Sequence, residues 1–216
     1  MQLISVNIGT ARPIANGKTS AVSGIFKEPV AGRTLIGTLG FPKDAICNKR
    51  HHGGPDQAIY VYGQPDYDWW AEQLLFPLAP GTFGENLTIA DLESSQLAIG
   101  DRLHIADAVL ELTAPRMPCG TLAKRMDDKQ FVQKFRAAER PGVYCRVIQE
   151  GAVAAGDAVR LEPYAGDRVN VIEVFREYFA AYHDEARVRR HLTAPLASRA
   201  REDNEQYLRA IRSQSF

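Results

Sequence analysis

Gly142-Val143-Tyr144-Cys145-Arg146-Val147-Ile148-Gln149 sets Val143, Cys145 and Val147 on one face, the period of a β-strand. Gly151-Ala152-Val153 and Ala155-Gly156-Asp157 follow as turns, and Val159–Leu161 reads as the next strand. The same alternation of short strand and turn runs back to the N-terminus. Strands are predicted at Met1–Ile8, Ser20–Phe26, Ala58–Tyr62, Glu85–Ile89, Arg102–Ile105 and Val109–Thr113. Two helices interrupt them. Gln64–Leu75 carries Trp69, Trp70, Leu74 and Leu75 at helical spacing, with Asp66 as its cap, and Lys129–Ala138 is the second. Many short strands with Gly, Pro and Asp turns indicate a barrel or sandwich. No βαβ alternation, GxGxxG or GxxxxGK[ST] is present, which disfavours a nucleotide-binding doubly wound fold.

The composition changes at Pro163-Tyr164-Ala165-Gly166-Asp167, beyond which glycine is scarce and Arg, Ala and Glu abound. Helices are predicted at Val171–Tyr182, Asp184–His191 and Arg199–Ile211, with Val174, Phe175, Tyr178 and Phe179 on one face of the first. The expected organisation is a β domain over 1–163 and a small three-helix domain over 164–216, a unit too short to be fully independent. Its arginines (Arg187, Arg189, Arg190, Arg199, Arg201) are interleaved with acids, the pattern of a solvated face.

Lys+Arg and Asp+Glu both number 26 among the 216 residues, so net charge is zero. That argues against a general nucleic-acid binder, whose affinity comes from neutralising phosphates. No stretch approaches the roughly 20 apolar residues of a membrane span. Met1-Gln2-Leu3-Ile4-Ser5-Val6-Asn7 has no basic region before an apolar core, so it reads as a strand and not as a signal peptide. Three cysteines, Cys47, Cys119 and Cys145, form no disulfide framework and no CxxC, and the expected setting is a reducing cytoplasm.

Three segments carry chemistry. In Ala114-Pro115-Arg116-Met117-Pro118-Cys119-Gly120, prolines that cannot donate to a ladder predict a rigid loop. A cation beside a partly exposed thiol favours the thiolate, the form that attacks electrophiles and binds metals. A nucleophilic mechanism needs a histidine aimed at Cys119, and His52 is the candidate. Lys49-Arg50-His51-His52-Gly53-Gly54-Pro55-Asp56 offers basic side chains and glycine amides, the makings of an oxyanion or phosphate cradle, or else an exposed Gly-Gly-Pro turn. Gly81-Thr82-Phe83-Gly84-Glu85-Asn86 is a corner whose Glu85 and Asn86 are expected to satisfy loop backbone groups. Cys145 alternates with apolar residues and is expected in the core; Cys47 lies in an irregular polar stretch.

Taken together, His52-Gly53-Gly54-Pro55-Asp56-Gln57-Ala58, Phe83-Gly84-Glu85-Asn86-Leu87, Gly100-Asp101-Arg102-Leu103, Pro115-Arg116-Met117-Pro118-Cys119, Gly142-Val143-Tyr144-Cys145-Arg146-Val147 and Gly151-Ala152-Val153 with Gly156-Asp157 resemble the MOSC family, in its YiiM-type subgroup. The helical tail is similar to that subgroup's three-helix extension. The resemblance implies a mainly β protein with α, a MOSC-type β-barrel followed by the three-helix domain. It implies binding of the molybdenum cofactor (molybdopterin), with Cys119 as the molybdenum ligand. Lys49, Arg50, His52, Gly53, Gly54, Phe83 and Glu85 would then bind cofactor, and Cys119, Arg116, Asp56 and Asn86 would serve catalysis. It implies an oxidoreductase for N-hydroxylated compounds such as purine analogues. With no flavin, haem or iron–sulfur signature in the chain, electrons are expected from a separate reductase. The family is also described with pyridoxal phosphate, through fusion to a sulfurase, but no lysine motif for it is present here. One departure is Lys43-Asp44, where relatives often carry Gly-Asp. Two other function classes fit the same residues: a sulfur carrier using a Cys119 persulfide, and a non-catalytic binding module docked through the tail.

Overall fold

The computed structural model describes residues 1–16, 19–48 and 52–213. In chain order the elements are β1 (Leu3–Gly9), β2 (Arg12–Asn16), β3 (Thr19–Ser23), β4 (Lys27–Pro29), β5 (Thr34–Ile36), β6 (Ile59–Gly63), α1 (Gln64–Leu74) and β7 (Leu87–Ile89). There follow β8 (Arg102–Ile105), β9 (Ala108–Pro115), α2 (Gly120–Arg125), α3 (Phe131–Ala138), β10 (Val143–Gln149), β11 (Gly151–Val153) and β12 (Val159–Glu162). The tail holds α4 (Val171–Tyr178), α5 (Glu185–His191) and α6 (Ser198–Ser213).

Eight strands form one mixed sheet in the order β12-β8-β9-β10-β6-β7-β1-β4. The expected barrel does not close. The segment leading into β12 meets β1 through an isolated bridge between Gln2 and Ala158 and a few flanking bonds, such as Leu3 N–H to Asp157 O at 2.9 Å, and not through a ladder. Pairs β2–β3 and β5–β11 stand apart as two-stranded ribbons. Gly151-Ala152-Val153, expected as a turn, is strand β11, because Leu35 lies opposite Ala152 and gives its backbone a partner.

The interior of β6 explains the two cores. Ile59 and Val61 face an aliphatic core with Leu110, Leu112, Val143 and Cys145. Tyr60 and Tyr62 face the other way, into an aromatic core with Trp70, Phe83, Phe131 and Phe135. A strand covered on both faces shows a continuous buried run rather than alternation, as all five β6 residues do. Phe83 and Trp70 are fully enclosed, with rings 5.9 Å apart. The N-cap of helix α1 is Gly63, not Asp66. Asp66 is buried instead, accepting from Arg140 Nη1 at 2.7 Å and from the Ser94 amide at 3.0 Å. Gly63 itself admits no side chain, since a Cβ there would lie 1.5 Å from the Leu92 carbonyl oxygen.

The tail packs against the sheet: Val169, Val171, Ala194 and Leu196 join the aliphatic core, and Phe175 the aromatic one. Asn170 and Asp184 cap α4 and α5 through their side chains. Tyr178, expected on the apolar face of α4, is largely exposed. Arg187, Arg189 and Arg190 are each paired with an acid of the tail, Glu177, Glu185 and Glu173.

Candidate functional site

Three adjacent strands bring the site together. β9, β10 and β6 are neighbours in the sheet, and each ends in a segment singled out by the sequence. Pro115 is the last residue of β9, so the loop begins at Arg116, two residues later than the predicted segment that starts at Ala114. The chain passes through Met117 and Pro118 to Cys119, which caps α2 with an extended backbone. His52 precedes the 3-10 turn Pro55–Gln57 that feeds β6. Tyr144, one residue from the core Cys145, projects from the opposite face of β10 and meets both.

Cys119 is half-buried, and its thiol is perturbed. Burial opposes ionisation. A hydrogen bond with the His52 side chain, the Arg116 charge and the Leu122 amide outweigh that and bring its pKa down to about 6. His52 Nδ1 lies 3.2 Å from the Tyr144 hydroxyl oxygen. Thiol, imidazole and phenol therefore form a connected series, the third group orienting the second. By contrast, burial pushes the Cys145 thiol far up, and that residue is inert core. Alkylation of Cys119, followed in a Cys47→Ser background, is expected to rise with pH to a plateau, with a midpoint near 6. His52→Gln should move that midpoint up by about one unit or more, because a bond to the charged form is lost. An unchanged midpoint would show that His52 does not stabilise the thiolate.

Arg116 is 3% exposed, yet it is no ordinary core residue. Its guanidinium lies 5.8 Å from the Tyr60 ring centroid and 5.6 Å from that of Phe135. Among the described residues its Nη1 has no hydrogen-bond partner. A buried guanidinium that keeps one nitrogen unpartnered at a cavity wall suits an anionic group.

Two cavities meet at Cys119. The smaller, of about 220 Å³, is bounded by Lys27, Asp44, Gly53, Phe83, Asn86 and Arg116 among others. The larger, of about 500 Å³, lies between the Cys119 loop and helices α4, α5 and α6. Cys119, His52, Gln57 and Tyr144 line both. The thiol thus stands at a doorway between a sheet-side chamber that holds Arg116 and the Lys27–Asp44 pair and a helix-walled one. Among the described residues no group of three or more His, Cys, Asp or Glu is placed to hold a metal ion. Cys119 is the soft donor at the doorway.

The structure brings together Cys119, Arg116, His52, Gly53, Phe83 and Asn86 from the expected set. Gly53 takes a φ of 78°, and a Cβ there would come within 2.9 Å of Ile46, so a larger residue would deform this wall. Lys49 and Arg50 lie outside the described residues. Gly54 is exposed and lines neither cavity. Glu85 sits beneath the site, fully buried, where one oxygen accepts from Tyr67, the Gly81 amide and Thr88. Asn86 touches the smaller cavity while holding Asp44 and the Tyr60 amide. Asp56 lines neither cavity. It pairs with Arg146 at 2.9 Å and accepts from the Ser198 amide and hydroxyl, each at 2.7 Å, so it anchors the start of α6. Asp56→Ala is expected to lower stability by about 1–2 kcal/mol in urea unfolding while leaving the Cys119 midpoint in place. A shifted thiol with unchanged stability would return Asp56 to the site. Tyr144 and Gln57 stood within segments that carry the family likeness but were given no role, and the α4–α6 wall carried no motif. Only the alternation of β10, which turns Tyr144 away from Cys145, pointed to the first.

The MOSC domain matches residues 48–160, the span that carries His52, Asn86, Arg116, Cys119 and Tyr144. Protein YiiM of Escherichia coli is 31% identical over 168 residues, 76% of this chain and 73% of that protein. A protein of Gibberella moniliformis named Reductase is 30% identical over 171 residues, 75% of this chain but 30% of its own length. The crystal structure of YiiM from Geobacillus stearothermophilus superposes with a TM-score of 0.78 at 25% identity, covering 95% of this chain and 97% of that one.

Proposed function

The chain belongs to the MOSC family, and from that membership we propose that it is a cytoplasmic molybdenum-cofactor enzyme that reduces N-hydroxylated compounds with electrons from a separate reductase. The observation that carries this reading is the ionisable Cys119 thiol at the meeting point of two cavities of different character. The residues present suit the cofactor. Cys119 offers a soft thiolate already favoured near neutral pH, and the unpartnered Nη1 of buried Arg116 suits an anionic group. Cys119 would hold the metal, and Arg116 with the Gly53 segment would face the pterin and its phosphate. The bound group would supply the two-electron chemistry at the N–O bond. The chain's residues do the rest. His52 and Arg116 keep the thiol ionised, Tyr144 orients His52, and the aromatic core behind Tyr60 and Phe83 excludes water. The helix-walled cavity would take the substrate. A fungal relative named Reductase, in which the matching stretch is 30% of a longer chain, agrees with electrons arriving from outside this segment.

The test is molybdenum and pterin content of protein made in a host that synthesises the cofactor, together with reduction of an N-hydroxylated purine by added reductase. About one molybdenum per chain with turnover supports the reading. Protein without molybdenum from such a host sinks it.

A further inference from the structure

Three histidines line the helix-walled cavity, His52, His183 and His191, and the imidazole of His183 is held from two sides. His183 Nδ1 lies 2.8 Å from Glu177 Oε1. The other oxygen of Glu177 accepts from Arg187 Nη1 at 2.9 Å. Glu177 is 5% exposed, so this carboxylate is a fixed, buried partner. Tyr207 donates its hydroxyl to the His183 carbonyl at 2.6 Å and sets its ring edge-on to the imidazole at 5.2 Å. A carboxylate that accepts from Nδ1–H fixes the orientation of the ring and leaves Nε2 for a ligand. His183 shares the larger cavity with Cys119, and its side chain is 41% exposed, which lets solvent restore a proton.

We propose that His183 is the proton donor to the substrate nitrogen, with Glu177 as its positioning residue. This rests on the reductase reading. The overall change is R–NHOH plus two electrons and two protons to R–NH2 and water. The N–O bond breaks, and the nitrogen keeps the electron pair and takes a proton from His183 Nε2. The oxygen leaves as water with a solvent proton, and the separate reductase supplies both electrons. General acids of this kind are worth a hundredfold or more.

The experiment compares two planar purines on molybdenum-loaded protein: a hydroxylaminopurine, whose nitrogen needs a proton, and adenine N-oxide, whose ring nitrogen is released neutral and needs none. His183→Gln is expected to lower kcat/KM about a hundredfold for the first and to stay within about twofold for the second. Glu177→Gln should show the same selectivity, less steeply. A parallel fall for both purines, or a fall for neither, at full molybdenum content overturns the assignment and leaves the reductase reading standing. Failure of wild type to load molybdenum is the separate failure of that reading. A second readout needs no cofactor. In protein with nitrogen-labelled histidine, hydroxylaminopurine should shift the His183 Nε2 resonance and spare that of Glu177→Gln at the same concentration. No movement of His183 at saturating purine also overturns the assignment.

Discussion

Cys119→Ser is expected to leave less than about a tenth of the wild-type molybdenum and to lower turnover about a thousandfold or more, since the soft anionic ligand is gone. The serine hydroxyl matches the thiol in size but stays protonated at neutral pH, where a thiol with a pKa of about 6 is mostly ionised. His52 and Arg116 would then face a neutral group they do not stabilise. The change is small in volume and half-exposed, so the urea midpoint should hold within about 0.5 kcal/mol. His52→Gln and Arg116→Met should fall between the two proteins in molybdenum content, as supporting groups around a ligand do. Metal analysis on purified chains, read beside the unfolding curves, separates lost ligation from lost folding. Full molybdenum content in the serine variant would remove Cys119 from the centre of the site. A sulfur carrier predicts instead an added sulfur on Cys119 after incubation with a desulfurase, detected by mass spectrometry, and no dependence on the metal.

The strands were legible where one face is apolar. β8 (Arg102–Ile105) and β10 (Val143–Gln149) fall on their predicted ranges within a residue, because their alternation reports a single buried side. Where pairing comes from afar, the pattern fails. β2 (Arg12–Asn16) and β5 (Thr34–Ile36) have no apolar rhythm of their own and exist because β3 and β11 supply partners. Asp66 resembled a cap because a helix follows an acid so often, but its burial against Arg140 and Ser94 depends on residues 28 and 74 positions away. The barrel implied by the family likeness is an open sheet whose β1 end touches the β12 end by one bridge. The site was legible as residue types and order. Cys119, Arg116 and His52 do meet, since β9, β10 and β6 are neighbours, a pairing that no local pattern encodes. The likeness also marked Asp56 and Glu85 for roles at the site. The structure places one under α6 and the other beneath the cavity floor, because a carboxylate answers the nearest unpaired amides. The helix wall was predicted as helices but not as a wall, because only their packing brings His183 and Tyr207 to a cavity shared with Cys119.

Asp44→Ala is expected to be the most destabilising single polar change, at about 3–5 kcal/mol, because it strands a buried ammonium. Asp44 and Lys27 form an ion pair with side chains 5% and 8% exposed. The same carboxylate accepts from the Gly9 amide at 2.8 Å and from Asn86 Nδ2 at 2.9 Å. Three polar groups from three segments therefore close on one side chain at the edge of the smaller cavity. At the Lys43-Asp44 departure, Lys43 is exposed while the Asp44 side chain turns inward. With a domain of this size losing about 2–4 °C per kcal/mol, the melting point should fall by roughly 6–20 °C. Loss of the pair and loss of the charge are separable. Lys27→Met with Asp44→Leu removes both ions and should recover most of the stability, since paired burial carries its own desolvation penalty. The recovered protein should still bind cofactor less well, because the Gly9 and Asn86 bonds that shape the cavity edge are absent in both variants. A fall of less than about 1 kcal/mol for Asp44→Ala would mean that water reaches Lys27 and that the pair is no keystone.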